Sequence, residues 1–154
     1  EGRDVVKPIL QALVLAERVY EDKSTGTKII CGVFNKLILR QKGKSSSEEK
    51  QVSKSSATLV RQVGSPTAYI NLTGLHGQTP LELRYINLKT QEVLFRVELS
   101  VSCDDPLKSI EIILPLPMLP TPYPGVYALE LLWNDELLGS SRITAELLPF
   151  DQKE

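Results

Sequence analysis

The chain has 154 residues, of which 42% are hydrophobic and 24% charged, a composition typical of one soluble globular domain with a sizeable core. Its formal net charge of −1 gives no reason to expect binding to nucleic acid or to an anionic membrane. No apolar run approaches the roughly 20 residues of a membrane span, and no apolar signal core follows the start. We therefore expect a cytoplasmic protein, with a removed leader as the alternative because the chain begins at Glu1.

Motifs for common catalytic and metal-binding chemistry are missing from the sequence. Two cysteines, Cys31 and Cys103, and one histidine, His76, are too few for the usual four-ligand Cys/His zinc site. There is no G-x-S-x-G, H-E-x-x-H, P-loop or G-x-G-x-x-G motif. We expect no cofactor, and we predict that both thiols are half-buried on strands, since cysteine is among the most buried residue types.

The N-terminal part of the chain is predicted to form a hairpin. Residues 9–20 follow Pro8 with apolar spacing that suits a helix, but they also suit a strand. The turn-forming run STGT and the β-branched run at 28–39 favour the strand, with the helix as the alternative. Gly32 in the second strand is predicted to mark a bulge or a close backbone approach.

Residues 40–57 differ from the rest of the chain in composition. They are rich in serine and lysine and nearly lack apolar residues, so they cannot bury enough surface to become ordered. This composition predicts a long flexible loop after the second strand. Beyond it, residues 58–63 and 67–74 are predicted to form one strand that is broken at Gly64–Pro66.

The C-terminal half gives the clearest strand patterns. In residues 92–103, apolar side chains alternate with polar ones, which predicts a strand with one buried face. The run at 81–88 alternates in the same way, and we predict that the two form a hairpin. Further strands are predicted over residues 108–116, 127–133 and 136–147, the last two joined by a tight turn at Asn134–Asp135.

Five prolines fall within residues 114–125, which have the sequence LPLPMLPTPYPG. The apolar alternation of the preceding strand continues into this run, and the alternation resumes at Tyr127. Because proline cannot donate to a sheet ladder, Pro115 and Pro117 suit only an edge. We predict a stiff crossover between strands or sheets, with a polyproline ligand as the alternative.

These elements together predict an all-β protein with few or no helices. The favoured architecture is a single-domain, antiparallel, immunoglobulin-like β-sandwich of about eight strands, and a closed barrel is the alternative. The domain is predicted to span residues 9–148, with terminal tails at 1–8 and 149–154.

Two motifs suggest a relationship to known proteins. One is a D-x-x-T-G hairpin followed by I-x-G-[IV]-F, and the other is a late P-G-x-Y strand followed by L-x-G. Their residues here are Asp22, Thr25, Gly26, Thr27, Ile30, Gly32, Val33, Phe34, Pro124, Gly125, Tyr127, Leu137 and Gly139. The motifs resemble a family of bacterial β-sandwich domains of unknown function. The resemblance covers most of 10–147 except 40–57, implies the sandwich fold and implies no catalytic residues.

A looser resemblance is to immunoglobulin-like domains. Gly125 and Tyr127 have the spacing of the tyrosine corner that such domains place at the start of a strand. The cysteine that antibody domains carry two residues later is Leu129 here, so we do not expect a disulfide-pinned immunoglobulin domain.

Loop order predicts one acidic end of the sandwich. Because successive loops of a sandwich alternate between its ends, residues 21–27, 74–79, 104–106 and 134–136 are expected to share one end. The candidate Ca²⁺ ligands there are Asp22, Asp104, Asp105 and Asp135, since Ca²⁺ takes six to eight oxygen ligands. The alternative is that these aspartates serve only as turn residues.

Two further residues are candidates for ligand chemistry. His76 could act as a base with Asp104 or Asp105, which would make a weak hydrolytic site. Tyr123, among the prolines, is the aromatic residue most expected to be exposed and could stack on a carbohydrate. Tyr85, Tyr127 and Trp133 lie in the apolar phase of their strands and are predicted to be core residues.

The favoured function is a non-catalytic binding domain that presents loops or a sheet edge to a protein partner. A carbohydrate-binding module is the first alternative, and a Ca²⁺-dependent or hydrolytic site is the second. The partner could also be a second copy of the chain, because Leu94, Ile113 and Leu132 are apolar but out of phase with the predicted core faces.

Overall fold

A computed structural model of the protein describes residues 6–41, 57–59 and 65–148. These residues form ten strands and contain no helix, and therefore none long and apolar enough to cross a membrane. The strands are β1 (Ile9–Glu21), β2 (Lys28–Val33), β3 (Lys36–Gln41), β4 (Ala57–Leu59), β5 (Thr67–Thr73), β6 (Gly77–Asn87), β7 (Val93–Cys103), β8 (Ile110–Pro115), β9 (Gly125–Trp133) and β10 (Glu136–Leu147).

The strands form two sheets that share one core. The four-stranded sheet has the order β2-β1-β5-β8, and the six-stranded sheet has the order β4-β3-β10-β9-β6-β7. Buried side chains from both sheets meet in one cluster, as Leu15 and Ile70 from the first sheet and Leu83, Leu129 and others from the second show. The predicted all-β sandwich is therefore confirmed, and residues 9–20 are strand and not helix.

The predicted second strand at 28–39 is wrong in one respect, because it is two strands in different sheets. β2 ends at Val33 and β3 begins at Lys36. Between them, the Phe34 amide donates to the Leu15 carbonyl of one sheet, while the Asn35 carbonyl accepts from Thr144 of the other. These two residues thus carry the chain from one sheet to the other, which raises the strand count above the predicted eight.

Two other predictions about this region need correction. Residues 57–59 pair with β3 in the six-stranded sheet, whereas β5 belongs to the four-stranded sheet, so residues 58–59 of the predicted strand do not share a strand with 67–74. The sandwich is also not wholly antiparallel, because β3 and β10 pair in parallel. The predicted flexible loop and the tails fall mostly on residues 1–5, 42–56 and 149–154, which lie outside the described residues.

The C-terminal half follows the predicted pattern closely. β6 and β7 form an antiparallel hairpin, and β9 and β10 form another. The turn between β9 and β10 has positive φ at both Asn134 (47°) and Asp135 (61°). Two successive positive φ values are those of a type I′ turn, whose twist matches that of the strands it joins.

The proline run crosses between the sheets, as predicted. β8 is an edge strand of the four-stranded sheet and ends at Pro115, and the chain re-enters the six-stranded sheet at Gly125. The Leu116 amide donates to the Pro66 carbonyl at 2.8 Å, and Leu116 and Leu119 are buried. The run is therefore packed on the domain, which argues against a free polyproline ligand.

A tyrosine corner fixes the start of β9. The Tyr127 hydroxyl donates to the Tyr123 carbonyl at 2.7 Å and accepts from the Tyr123 amide at 3.3 Å. Its buried ring stacks on Tyr85, with 5.5 Å between ring centroids, and Tyr85 stacks on Phe95 at 5.3 Å. Burial raises the pKa of the Tyr127 and Tyr85 hydroxyls. The predicted core positions of Tyr85, Tyr127 and Trp133 are confirmed.

The β1–β2 hairpin folds back across the outer face of the four-stranded sheet. Lys28 lies opposite Glu21 near the hairpin tip, yet its ammonium is 3.9 Å from a carboxylate oxygen of Glu111 on β8. Glu111 is level with Ala12 across the sheet, and a straight β1 would carry Glu21 roughly 30 Å beyond Ala12. The hairpin must therefore bend back, and Tyr69 of the outer face is accordingly only 9% exposed.

Candidate functional site

The four aspartates predicted as Ca²⁺ ligands do not form one group. The described residues hold no group of three or more histidine, cysteine, aspartate or glutamate side chains that could bind a metal. Asp22 lies in the β1–β2 turn, where its Oδ1 accepts from the amide of Ser24 at 2.9 Å and from its hydroxyl at 2.7 Å. These hydrogen bonds, the one from the Ser24 hydroxyl first, hold the pKa of Asp22 below its ordinary value.

The other predicted acidic residues also lie in turns. Asp105 Oδ1 accepts from the Leu107 amide at 3.0 Å, and its neighbour in the chain, Asp104, is exposed. Asp135 occupies the type I′ turn described above. Turn formation accounts for these positions without a ligand, which was the alternative interpretation of the sequence.

His76 is exposed in the short loop between β5 and β6. This loop lies against residues 104–109, because the Gly74 amide donates to the Pro106 carbonyl at 2.9 Å. Within the described part of the chain, however, His76 makes no hydrogen bond to Asp104 or Asp105. The geometry thus brings the predicted base near the predicted acids but does not orient it for catalysis.

Tyr123 is 45% exposed, as predicted, but it is not part of an aromatic platform. Its backbone, and not its ring, makes the contacts that hold the tyrosine corner. A shallow groove of about 580 Å³ lies elsewhere, on the outer face of the six-stranded sheet, and has no aromatic lining. The structure therefore offers no stacked aromatic surface for a sugar among the described residues.

Both cysteines are free thiols. Cys103 is buried at the end of β7, and its thiol lies 3.2 Å from the Asp105 carbonyl. Cys31 is exposed on β2, so the prediction of two half-buried thiols is wrong for both residues.

The remaining candidate for a functional site is a strand edge that no described strand covers. Among the described strands, four lie at the edges of the two sheets: β2, β8, β4 and β7. β4 has only three residues, β8 ends in proline after five others, and β2 is a six-residue strand with Gly32 at φ 72°. Short strands, prolines and irregular backbone are the usual means by which proteins protect sheet edges from pairing.

β7 is neither short nor interrupted by proline, and its one irregularity, the bulge at Leu94, lies near its start. It is an eleven-residue strand without proline, glycine or lysine, and among the described elements it pairs only with β6. Its pairing with β6 is regular from Phe95 to Cys103. A long, regular edge of this kind exposes a row of backbone donors and acceptors that another strand can pair with.

The inner face of β7 is apolar and only partly covered. Phe95, Val97 and Leu99 face the core but are half-exposed, whereas Tyr85, Leu83 and Leu81 directly opposite them on β6 are buried. The difference follows from the unequal sheets, because the six-stranded sheet extends beyond the four-stranded one and leaves its outermost strand partly bare.

The outer face of β7 carries charges of both signs. Across the β6–β7 ladder, Arg84 lies opposite Arg96 and Glu82 lies opposite Glu98, so like charges face each other twice. Arg84 pairs with Glu130 at 2.9 Å, and Arg96 reaches Glu82 at 3.5 Å. Glu98 makes no ion pair with a described residue. Like charges directly opposite each other destabilise a ladder, so Arg96 and Glu98 on this edge would be stabilised by opposite charges from another strand.

The sequence predicted β7 and its two faces but did not single out its charged residues. The available signal was the run F-R-V-E-L, in which an arginine and a glutamate flank a central valine. The apolar residues suggested instead for a dimer are mostly covered: Leu132 is buried, and Leu94, a bulge residue, packs against the core.

Comparisons with known proteins give matches among solved structures only. No protein-family model matches the sequence, and no curated protein matches it. Among solved structures, the chain is similar to an immunoglobulin-like protein from Pseudomonas aeruginosa at 9% sequence identity. The match covers 94% of this chain and 100% of that chain, with a TM-score of 0.41. Membership in the bacterial sandwich family that the motifs resemble stays a prediction.

Proposed function

We propose that this chain is a non-catalytic interaction domain that presents the edge of β7 to a protein partner. The observation that carries the proposal is the contrast among the four edges: in the described part of the chain, β7 alone is long, free of proline and glycine, and regular from Phe95 to Cys103. Strand addition at such an edge uses backbone hydrogen bonds for affinity and alternate side chains for specificity. Val97 and Glu98 supply such side chains on the two faces.

The motif residues support a related proposal, that the chain belongs to the bacterial β-sandwich family resembled by its motifs. Asp22 closes the first hairpin turn through Ser24, and Gly26 there has φ 74°. Gly32 has φ 72°, and a Cβ at this position would lie 2.8 Å from the Glu17 side chain. Tyr127 forms the tyrosine corner. Each of these motif residues thus has a local structural reason, and none has a catalytic one.

Site-specific photocrosslinking in the source cell tests the interaction edge. A benzoylphenylalanine at Ser100 on β7 would project from the edge strand, whereas one at Arg142 on the interior strand β10 is an exposed control in the same sheet. We expect protein adducts from position 100 and few from position 142. Absence of adducts at 100, or equal yields at the two positions, would refute the proposal.

A further inference from the structure

The sequence of β7 is complementary to itself when the strand is reversed. If two copies of β7 pair antiparallel with Val97 opposite Val97, then Phe95 lies opposite Leu99 of the second copy and Arg96 lies opposite Glu98 of the second copy. Every position in this five-residue stretch meets a residue of the same class or of opposite charge. We propose that the partner of the β7 edge is a second copy of this chain, joined in this register about a twofold axis at Val97.

The proposal rests on the proposed function and names the partner for that edge. A twofold axis makes the two contacts identical, which is how most soluble oligomers of one chain are built. The six-stranded sheets of the two copies would become one continuous sheet across the interface. The half-exposed side chains of Phe95, Val97 and Leu99 would then each gain an apolar cross-strand neighbour.

The charges supply the second line of argument. Within one chain, Glu98 faces Glu82 across the ladder and has no cationic partner among the described residues. Arg96 has a side chain that is 61% exposed and makes one long contact, 3.5 Å to Glu82. In the dimer, each Glu98 would gain the Arg96 of the other copy, so the Glu82–Glu98 pair of one chain would meet the Arg96–Arg84 pair of the other. The edge is therefore complementary to itself.

The interface would be small, because it consists of two strand edges with their flanking side chains. Interfaces of this kind fall in the weak class, below about 1,200 Å² of total buried surface. We therefore expect a concentration-dependent dimer, detectable by sedimentation equilibrium up to about 1 mM chain at low ionic strength.

Charge reversal tests both the dimer and its register. Arg96→Glu would place a carboxylate opposite the carboxylate of Glu98 in both halves of the interface, and Glu98→Arg would place a guanidinium opposite that of Arg96. We expect each variant to raise the dimer dissociation constant about tenfold or more. The double variant R96E/E98R restores both pairs in the same register and should return the constant to near that of the unmodified chain.

Mixing the two single variants gives a sharper result. Their heterodimer would pair two glutamates of one chain with two arginines of the other, so an equimolar mixture should dimerise at concentrations at which each variant alone remains mostly monomeric. The charge reversal Lys36→Glu, which also breaks an exposed ion pair but lies on β3, is the matched control and should not change the dissociation constant. Thermal unfolding of each variant verifies that it is folded.

The outcomes separate this proposal from the proposed function. A chain that remains monomeric at about 1 mM, or a double variant and a mixture that both fail to dimerise when the unmodified chain does, would overturn the self-pairing. If position 100 then still crosslinks to a different protein, the interaction edge stands and only the identity of its partner is wrong. A crosslinked adduct of twice the chain mass supports both.

Discussion

Removing the Tyr127 hydroxyl should measure what the tyrosine corner contributes to stability. Tyr127→Phe leaves the ring and its stacking on Tyr85 in place but deletes the 2.7 Å bond to the Tyr123 carbonyl and the 3.3 Å bond from its amide. A net hydrogen bond contributes about 0.5–1.5 kcal/mol, and the second bond here is long. We expect the free energy of unfolding to fall by about 1–1.5 kcal/mol. In a domain of this size that corresponds to a drop of roughly 3–5 °C in Tm.

The expected loss is distinguished from a packing effect by two comparisons. Tyr127→Ala also removes the buried ring and should cost about 3–5 kcal/mol. Tyr123→Phe is the matched control, because it removes a hydroxyl four residues away while leaving the backbone groups that Tyr127 binds; it should change stability by less than about 0.5 kcal/mol. Urea unfolding followed by Trp133 fluorescence gives all three values. If Tyr127→Phe is as stable as the unmodified chain, or Tyr123→Phe costs as much, the reasoning about the corner is refuted.

Three further predictions concern pH, the folded-back hairpin and a turn. Burial raises the pKa of Tyr85, so the folded chain keeps a proton that the unfolded chain loses above about pH 10, and the free energy of unfolding should fall as the pH rises there. Tyr85→Phe should reduce the slope of unfolding free energy against pH by up to about 1.4 kcal/mol per pH unit, measured by urea unfolding at several pH values. An unchanged slope would contradict the raised pKa of Tyr85. Lys28→Met removes the ammonium that lies 2.8 Å from Glu21 and 3.9 Å from Glu111, and so weakens the contact that holds the β1–β2 hairpin against β8. Amide hydrogen exchange should then accelerate more in residues 17–32 than in β9; an equal change in both would contradict a role for Lys28 in holding the hairpin. Asp135→Gly should keep or raise the thermal midpoint, because glycine adopts the φ of 61° at this position without strain. Asp135→Val should lower the free energy of unfolding by about 1 kcal/mol, because a β-branched residue resists positive φ. Equal thermal midpoints for the two variants would argue against the type I′ turn.

The parts of the fold that the sequence predicts well are those decided by local alternation. In β7 every second side chain is partly buried, and in β9 nearly all side chains are buried. Their hairpin partners follow or precede within a few residues, so the period of the pattern and the turn chemistry suffice. The turn at Asn134–Asp135 is of the same kind, because both residue types tolerate positive φ.

What the sequence does not predict are the features set by distant pairing. The run at 28–39 is largely apolar, and the crossing at Phe34–Asn35 is set by which strands lie beside each half. The parallel pairing of β3 with β10 is equally invisible, because side chains alternate alike in parallel and antiparallel strands. Strand order, in turn, decides that Arg96 and Glu98 lie on an edge, so the candidate site could not be located before the topology was known.

Because the two sheets differ in width, substitutions on the inner and outer faces of β7 should affect folding and association differently. Inward-facing residues of β7, such as Val97, contribute both to the core of one chain and to the apolar strip at its edge, so truncating them changes folding and association together. Arg96 and Glu98 point away from the core, and surface charges rarely change stability by more than about 0.5 kcal/mol. Their effect on association can therefore be measured in chains that remain folded, and reversal at these two outward positions is a cleaner test of the edge than any substitution on its apolar face.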